Sequence, residues 1–169
     1  PEWYDYSTTA KKWANAQTKD GSMWVWIPRY AYQISSNYHT NSTSGGTINI
    51  KFMKGTTNEA ADGTKTWSNS SGQGNWNIHP GFNYSSTASG LWVAKFEASR
   101  NNATASSVGS GNTIKIQPGV QSWRSITVND IYTTCLNYAG TTLGKANLNS
   151  HMMKNTEWGA CAYLSKSKY

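Results

Sequence analysis

The sequence predicts an α+β domain in which strands and helices are segregated. It expects small, mostly antiparallel sheets, two or three short helices and long irregular loops. Two observations predict this class. Alternating apolar patterns recur in the first two thirds of the chain without an intervening helical pattern, and two helical patterns close it, so the strand-helix alternation of a nucleotide-binding sheet is missing. The composition agrees: among 169 residues only 14% are charged, and nine Trp and ten Tyr stand among Ser, Thr, Asn and Gly. That length accommodates one domain with its own core, residues 1–169.

Taken in order, residues 2–17 carry Trp3, Tyr6, Ala10, Trp13 and Ala14 at close to helical spacing. They predict a short helix ending before Asp20-Gly21. SMWVWIPRYAYQI alternates Trp24 and Trp26 with Val25 and Ile27, then resumes after Pro28 with Tyr30, Tyr32 and Ile34. It reads as a strand interrupted by proline. TINIKFMKG, with Ile48, Ile50 and Phe52 on one face, supplies the partner of a long-looped hairpin.

Residues 56–86 lack periodicity and hold Trp67, Trp76, His79, Phe82 and Tyr84 among Gly, Asn, Ser and Thr. Loops of this length are functional or packed by their own side chains. GLWVAKFEAS predicts a core strand, residues 101–112 a loop, and TIKIQPG a further strand stopped at Pro118-Gly119. Thr127 is the expected N-cap of a helix with Ile131, Cys135 and Tyr138 on one face and Gly140 as its end. A last helix starts near Lys154 or Asn155 with Glu157 in its first turn, where a carboxylate suits the helix dipole.

The formal charge of +7 raises the question of a polyanionic partner. Lys11/Lys12 and Lys166/Lys168 are the only tight basic groups, so no nucleic-acid partner is expected. No apolar run approaches the ~20 residues of a membrane span. His39, His79 and His151 lie in polar loops or at a helix start, and no Gly-x-Ser-x-Gly phrase occurs, so no hydrolase triad is expected. Asp130 and Glu157 read as first-turn helix residues, Asp20 and Asp62 as Asp-Gly turns. Glu97 is expected to pair with Arg29 or Arg124. No catalytic residue, cofactor or metal site is predicted. Cys135 and Cys161, 26 residues apart, are either a disulfide, worth roughly 3 kcal/mol for such a loop, or two buried thiols. Asn-x-Ser/Thr triplets at Asn41, Asn69, Asn83 and Asn102 lie in predicted loops.

Binding is the better-supported chemistry. Indole faces stack on sugar C–H groups while neighbouring amides and hydroxyls read their oxygens. Trp67, Trp76, His79 and Tyr84 form the candidate ligand site, the alternative being that each Trp pins a loop to the body.

Four phrases in order resemble the formylglycine-generating-enzyme-like (sulfatase-modifying factor) branch of the C-type-lectin fold. SMWVWIPRY resembles its opening Met-Val-x-Ile-Pro strand, and LWVAKFEAS its Lys-aromatic-Glu strand. VQSWRSITVNDIYTTCLNYAG is similar to its Val-Ser-Trp…Tyr-Cys helix through Trp123 and Cys135. NSHMMKNTEWGACAYL resembles its Thr-Glu-x-Glu-Trp helix through Asn155, Glu157, Trp158 and Ala160.

The resemblance implies an extracellular or cell-surface setting, as in surface and pilin-associated domains of Gram-positive bacteria and their phages. By fold analogy it also allows a structural calcium. It implies that the family's catalytic cysteines lie beyond the last helix, so the chain is expected to be a non-catalytic fragment lacking that portion. Cys135 matches a structural cysteine and Cys161 none of the catalytic ones. The expected role is recognition or adhesion through a glycan or protein surface ligand, any membrane link lying in a missing segment. Alternatives are a filament subunit, with neighbouring copies covering the last helix, and a formylglycine-generating-type enzyme.

Overall fold

The computed structural model describes residues 9, 12–65, 67, 70–83 and 87–167. In chain order it holds strands β1 (Asn15–Gln17), β2 (Met23–Pro28), β3 (Tyr30–Ile34), β4 (Ile48–Phe52), β5 (Trp76–Ile78), β6 (Gly90–Ala94), β7 (Ser99–Arg100) and β8 (Ile114–Lys115). Helices α1 (Val128–Tyr138) and α2 (Asn155–Ser165) follow, with short 3-10 turns at Pro80–Phe82 and Ala146–Leu148. The sheets have the orders β1-β2-β6, β4-β3-β5 and β7-β8. The mixed α+β class is as expected. Two compact units are distinguishable: Pro1–Trp13, Trp26–Leu91 and Lys154–Tyr169 form the first, Ala14–Val25 and Trp92–Met153 the second.

In the first unit, β3 is the central strand. Arg29 breaks the strand pattern after Pro28, as the sequence predicts, and β3 then pairs antiparallel with β4 from Tyr30↔Phe52 to Ile34↔Ile48. Its other edge takes β5, with Ala31↔Ile78 and Gln33↔Trp76. The 56–86 region therefore contains a strand that periodicity does not reveal. Three residues are too few to show alternation, and the free edge of β3 supplies the hydrogen bonds that fix it.

One face of this sheet carries Tyr30, Tyr32, Ile50 and Phe52. The face is covered by α2, whose Glu157, Ala160 and Leu164 are buried, and the Tyr30 hydroxyl donates to the Ala160 carbonyl at 2.6 Å. This buried stripe of α2 thus packs on the chain's own tyrosines. Trp158, 65% exposed, stands away from the packing. The start of α2 follows the sequence reading, with the Glu157 carboxylate accepting the Lys154 backbone N–H at 2.7 Å.

In the second unit, β1 pairs with β2 through Asn15↔Val25, Ala16↔Trp24 and Gln17↔Met23. The helix expected over 2–17 is thus a strand at 15–17, while residues 1–8, 10 and 11 lie outside the described residues. Gly21, at φ 85, closes the hairpin and donates to the Thr18 carbonyl at 2.8 Å. Its left-handed backbone is what the Asp20-Gly21 pair makes affordable. The core here gathers Ile114, Ile116 and Tyr138, with Trp24, Ala94, Trp123 and Cys135 packed against it.

Thr127 caps α1 as predicted, accepting from Asp130 N–H at 3.1 Å. Gly140 does not end the helix. Ser150 Oγ accepts the Ala139 N–H at 2.9 Å and donates to the Leu136 carbonyl at 3.1 Å. This intrusion opens the ladder into a wider turn over Ala139–Leu143, which Gly144 closes at φ 67.

The strand predicted in GLWVAKFEAS ends at Ala94, and Glu97 beyond it is exposed. Its expected ion pair is absent among the described residues. Arg29 instead donates to Asn83 Oδ1 (3.0 Å) and Asn58 Oδ1 (3.1 Å), and Arg124 to Gln121 Oε1.

Candidate functional site

The outer face of the β4-β3-β5 sheet, opposite α2, is set by register. Gln33 lies between Asn49 and Trp76, and Ala31 between Lys51 and Ile78, so these side chains form two cross-strand rows on one surface. Asn49 Nδ2 donates to Gln33 Oε1 at 2.9 Å, and Gln33 Nε2 donates to the Gly74 carbonyl at 2.6 Å. A continuous amide chain thus runs beside the Trp76 indole.

Trp67 and Trp76 meet edge to face at 6.2 Å, and both pack on Ala31, Met53 and Ala60. Trp67 Nε1 donates to the Asn58 carbonyl at 3.0 Å. Both indoles are half-buried. Each indole thus packs its segment onto the body, as one of the two sequence readings expects, and keeps part of its surface exposed.

Lys51 adds charge to this face. Its ammonium stands 5.1 Å from the Trp76 ring centroid, 2.9 Å from Asp62 Oδ2 and 2.8 Å from Thr64 Oγ1. The hydrogen bond from Lys51, helped by those of Thr64, holds the Asp62 carboxyl well below the usual carboxylate range. Asp62 is therefore ionised across the physiological range, and the exposure of the pair keeps its contribution to stability small.

His79 is not part of this surface. It is 3% exposed, with ring centroids 5.4 Å from Tyr30, 5.5 Å from Tyr32, 5.1 Å from Tyr163 and 6.1 Å from Phe82. Its Nδ1 accepts the Gly81 N–H at 3.1 Å and so caps the Pro80–Phe82 turn. Burial pushes its pKa down to about 4, which keeps the ring neutral. Gly159 of α2 lies over the ring, where a Cβ would sit in ordinary van der Waals contact with the imidazole at 3.6 Å. The assignment of His79 to a ligand loop is corrected to a buried capping role. Tyr84 lies outside the described residues.

Cys135 and Cys161 are both free thiols, so the candidate disulfide is not formed in this structure. They belong to α1 of the second unit and α2 of the first. Burial raises both thiol pKa values, and the Glu157 carboxylate raises that of Cys161 further. Such thiols carry little thiolate at neutral pH. No group of three or more potential metal ligands occurs among the described residues.

The sequence did not single out Gln33, Asn49 or Lys51, and it marked Asp62 as an Asp-Gly turn residue and not as part of a surface. The even spacing of Gln33 from Ala31, and of Asn49 from Lys51, marks their shared faces, but β5 had to be known before Trp76 could be placed beside them. Comparison with protein-family models, curated proteins and solved structures finds no match. The functional reading therefore rests on this geometry.

Proposed function

We propose that the chain is a non-catalytic recognition or adhesion module of an extracellular or cell-surface, pilus-like protein, of the formylglycine-generating-enzyme-like branch of the C-type-lectin fold. Its ligand face is the outer side of β4-β3-β5, and its ligand is a glycan or a comparably polar protein surface. The observation that carries this reading is the register that sets Trp76 beside the Gln33 and Asn49 amides, next to Trp67 and the Lys51–Asp62 pair. Indole surface with adjacent amide and charged donors suits sugar hydroxyls and C–H faces. The raised thiols and the neutral, backbone-bonded His79 favour binding over covalent chemistry.

A glycan array followed by titration calorimetry tests the reading. Wild type is expected to bind, Gln33→Ala and Asn49→Ala to weaken binding about tenfold or more without unfolding, and Trp76→Ala to abolish it. Failure of the folded wild type to bind across a broad panel of glycans and cell-surface proteins would remove the proposal.

A second reading, a subunit of a self-assembling filament, is favoured by one surface feature. Val128, Tyr132 and Leu136 recur every four residues on α1 and are 75%, 52% and 46% exposed. A stripe of that kind suits packing between copies. Sedimentation and electron microscopy decide it: Tyr132→Glu should disperse assemblies, and a wild type that stays monomeric at high concentration excludes it.

A further inference from the structure

Two buried donors in the second unit lack acceptors, and they lie together. Arg100, in β7, stacks on the Trp123 indole with its guanidinium carbon 4.5 Å from the ring centroid. Its Nη1 donates to the Gly111 carbonyl at 3.0 Å. Its Nε–H, and the Nε1–H of Trp123, are shut from solvent without a hydrogen-bond partner. The Trp123 indole packs against the Ile114, Ile116 and Tyr138 core. A buried unmet donor is destabilising, and two of them in one stacked pair point to an acceptor that the chain itself does not supply.

Charge decides what that acceptor is. Arg100 has no ion pair among the described residues. The acids of this unit are Asp20, Glu97 and Asp130. Asp20 accepts from Thr18, Ser22 and Tyr138, Asp130 sits in the first turn of α1, and Glu97 is exposed. Lys19, Lys95, Lys115, Arg124 and Lys145 make the unit cationic. A water molecule would satisfy the donors and leave the guanidinium charge uncompensated, whereas an anion does both. Full burial of both nitrogens favours a single-atom acceptor over a carboxylate or phosphate. Arg100 is itself only partly buried, which gives such an ion a route in.

We propose that the Arg100–Trp123 pair is a halide-binding site, with chloride accepting hydrogen bonds from Arg100 Nε–H and Trp123 Nε1–H. The ion neutralises Arg100 and fastens the 101–112 loop, whose Gly111 carbonyl the same guanidinium holds. The site is distinct from the sheet face above.

Thermal melts at fixed ionic strength, with chloride exchanged for gluconate, test it. At chloride ten times its dissociation constant the expected rise in Tm is about 3–6 °C for the wild type, and none for Arg100→Met. An equal shift in both proteins, or no shift in the wild type, overturns the proposal. Should Arg100→Met not fold, nitrogen-15 spectra of the wild type decide. Chloride must move the Trp123 indole N–H and Arg100 Nε–H resonances saturably, and static resonances refute the site. Crystals soaked in bromide must show an anomalous peak between the two nitrogens, and a peak without anomalous signal is a water and refutes it.

Discussion

Acidification should unlatch His79 within a narrow pH window, and the size of the effect follows from its burial. The unfolded chain takes up the imidazole proton with a pKa near 6.5, the folded chain only near 4. Between these values the unfolded state holds more protons, so stability is lost as pH falls through the window. From pH 7 to pH 5 the loss works out at about 2 kcal/mol, or about 4–8 °C in Tm for a chain of this size. Protonation also turns Nδ1 from an acceptor into a donor facing the Gly81 N–H, which removes the cap. The neighbouring rings are those of Tyr30, Tyr32, Tyr163 and Phe82, and burial raises the pKa of Tyr30 and Tyr32 further from this range.

The assay compares wild type with His79→Asn by calorimetry every half pH unit. Asn keeps an acceptor for Gly81 but does not titrate. Its melting curve should be lower throughout because of the lost ring contacts, yet flatter between pH 7 and 5. Asp20, Glu59 and Asp62 have lowered pKa values, so the stability they contribute is lost only at more acid pH, and it cancels in the comparison. Parallel curves for the two proteins, or a titration of His79 near 6.5 by NMR, would refute the reasoning.

Other perturbations probe the remaining contacts. Tyr30→Phe removes the hydroxyl that bonds Ala160 in a fully buried site, and urea melts should show a loss of about 1–2 kcal/mol. Thr127→Ala removes the acceptor for Asp130 N–H and should cost about 1 kcal/mol, visible as a matching fall in Tm. Because both cysteines are free and their thiols are raised, dithiothreitol should leave Tm unchanged. A disulfide reagent should modify them at least about tenfold more slowly than free cysteine at pH 7.

Local chemistry made part of this structure legible. Thr127 and Glu157 announce helix starts because capping is decided by neighbours three residues away, and Pro28 marks a strand break because it has no N–H. Ile48, Ile50 and Phe52 show their shared face because a strand's period is two. What stayed hidden depends on partners distant in the chain. Asn15–Gln17 is a strand because β2 offers it an edge, against a weak helical spacing. Gly140 fails to end α1 because Ser150, ten residues on, intercepts the ladder. Trp67 and Trp76 meet on one face, yet His79, three residues after Trp76, lies on the opposite side of the sheet.

That reversal explains how one short segment serves two ends. Trp76 and Ile78 point outward from β5, and Asn77 inward, by strand alternation. His79 follows Ile78 on the inner side, where its N–H bonds the Tyr30 carbonyl at 3.1 Å and its ring meets the tyrosines of β3 and α2. The imidazole must stay neutral for that packing, so it is withdrawn from acid-base work at neutral pH. The indole three positions earlier has its side held by Trp67 and Lys51 and keeps part of its surface exposed. A ligand face needs such rigid backing, because side chains fixed before binding lose less entropy on association. The aromatic box around His79 anchors β5 from within, so loosening it by acid should weaken the proposed binding at Trp76, while the lowered pKa of Asp62 keeps that carboxylate ionised between pH 7 and 5.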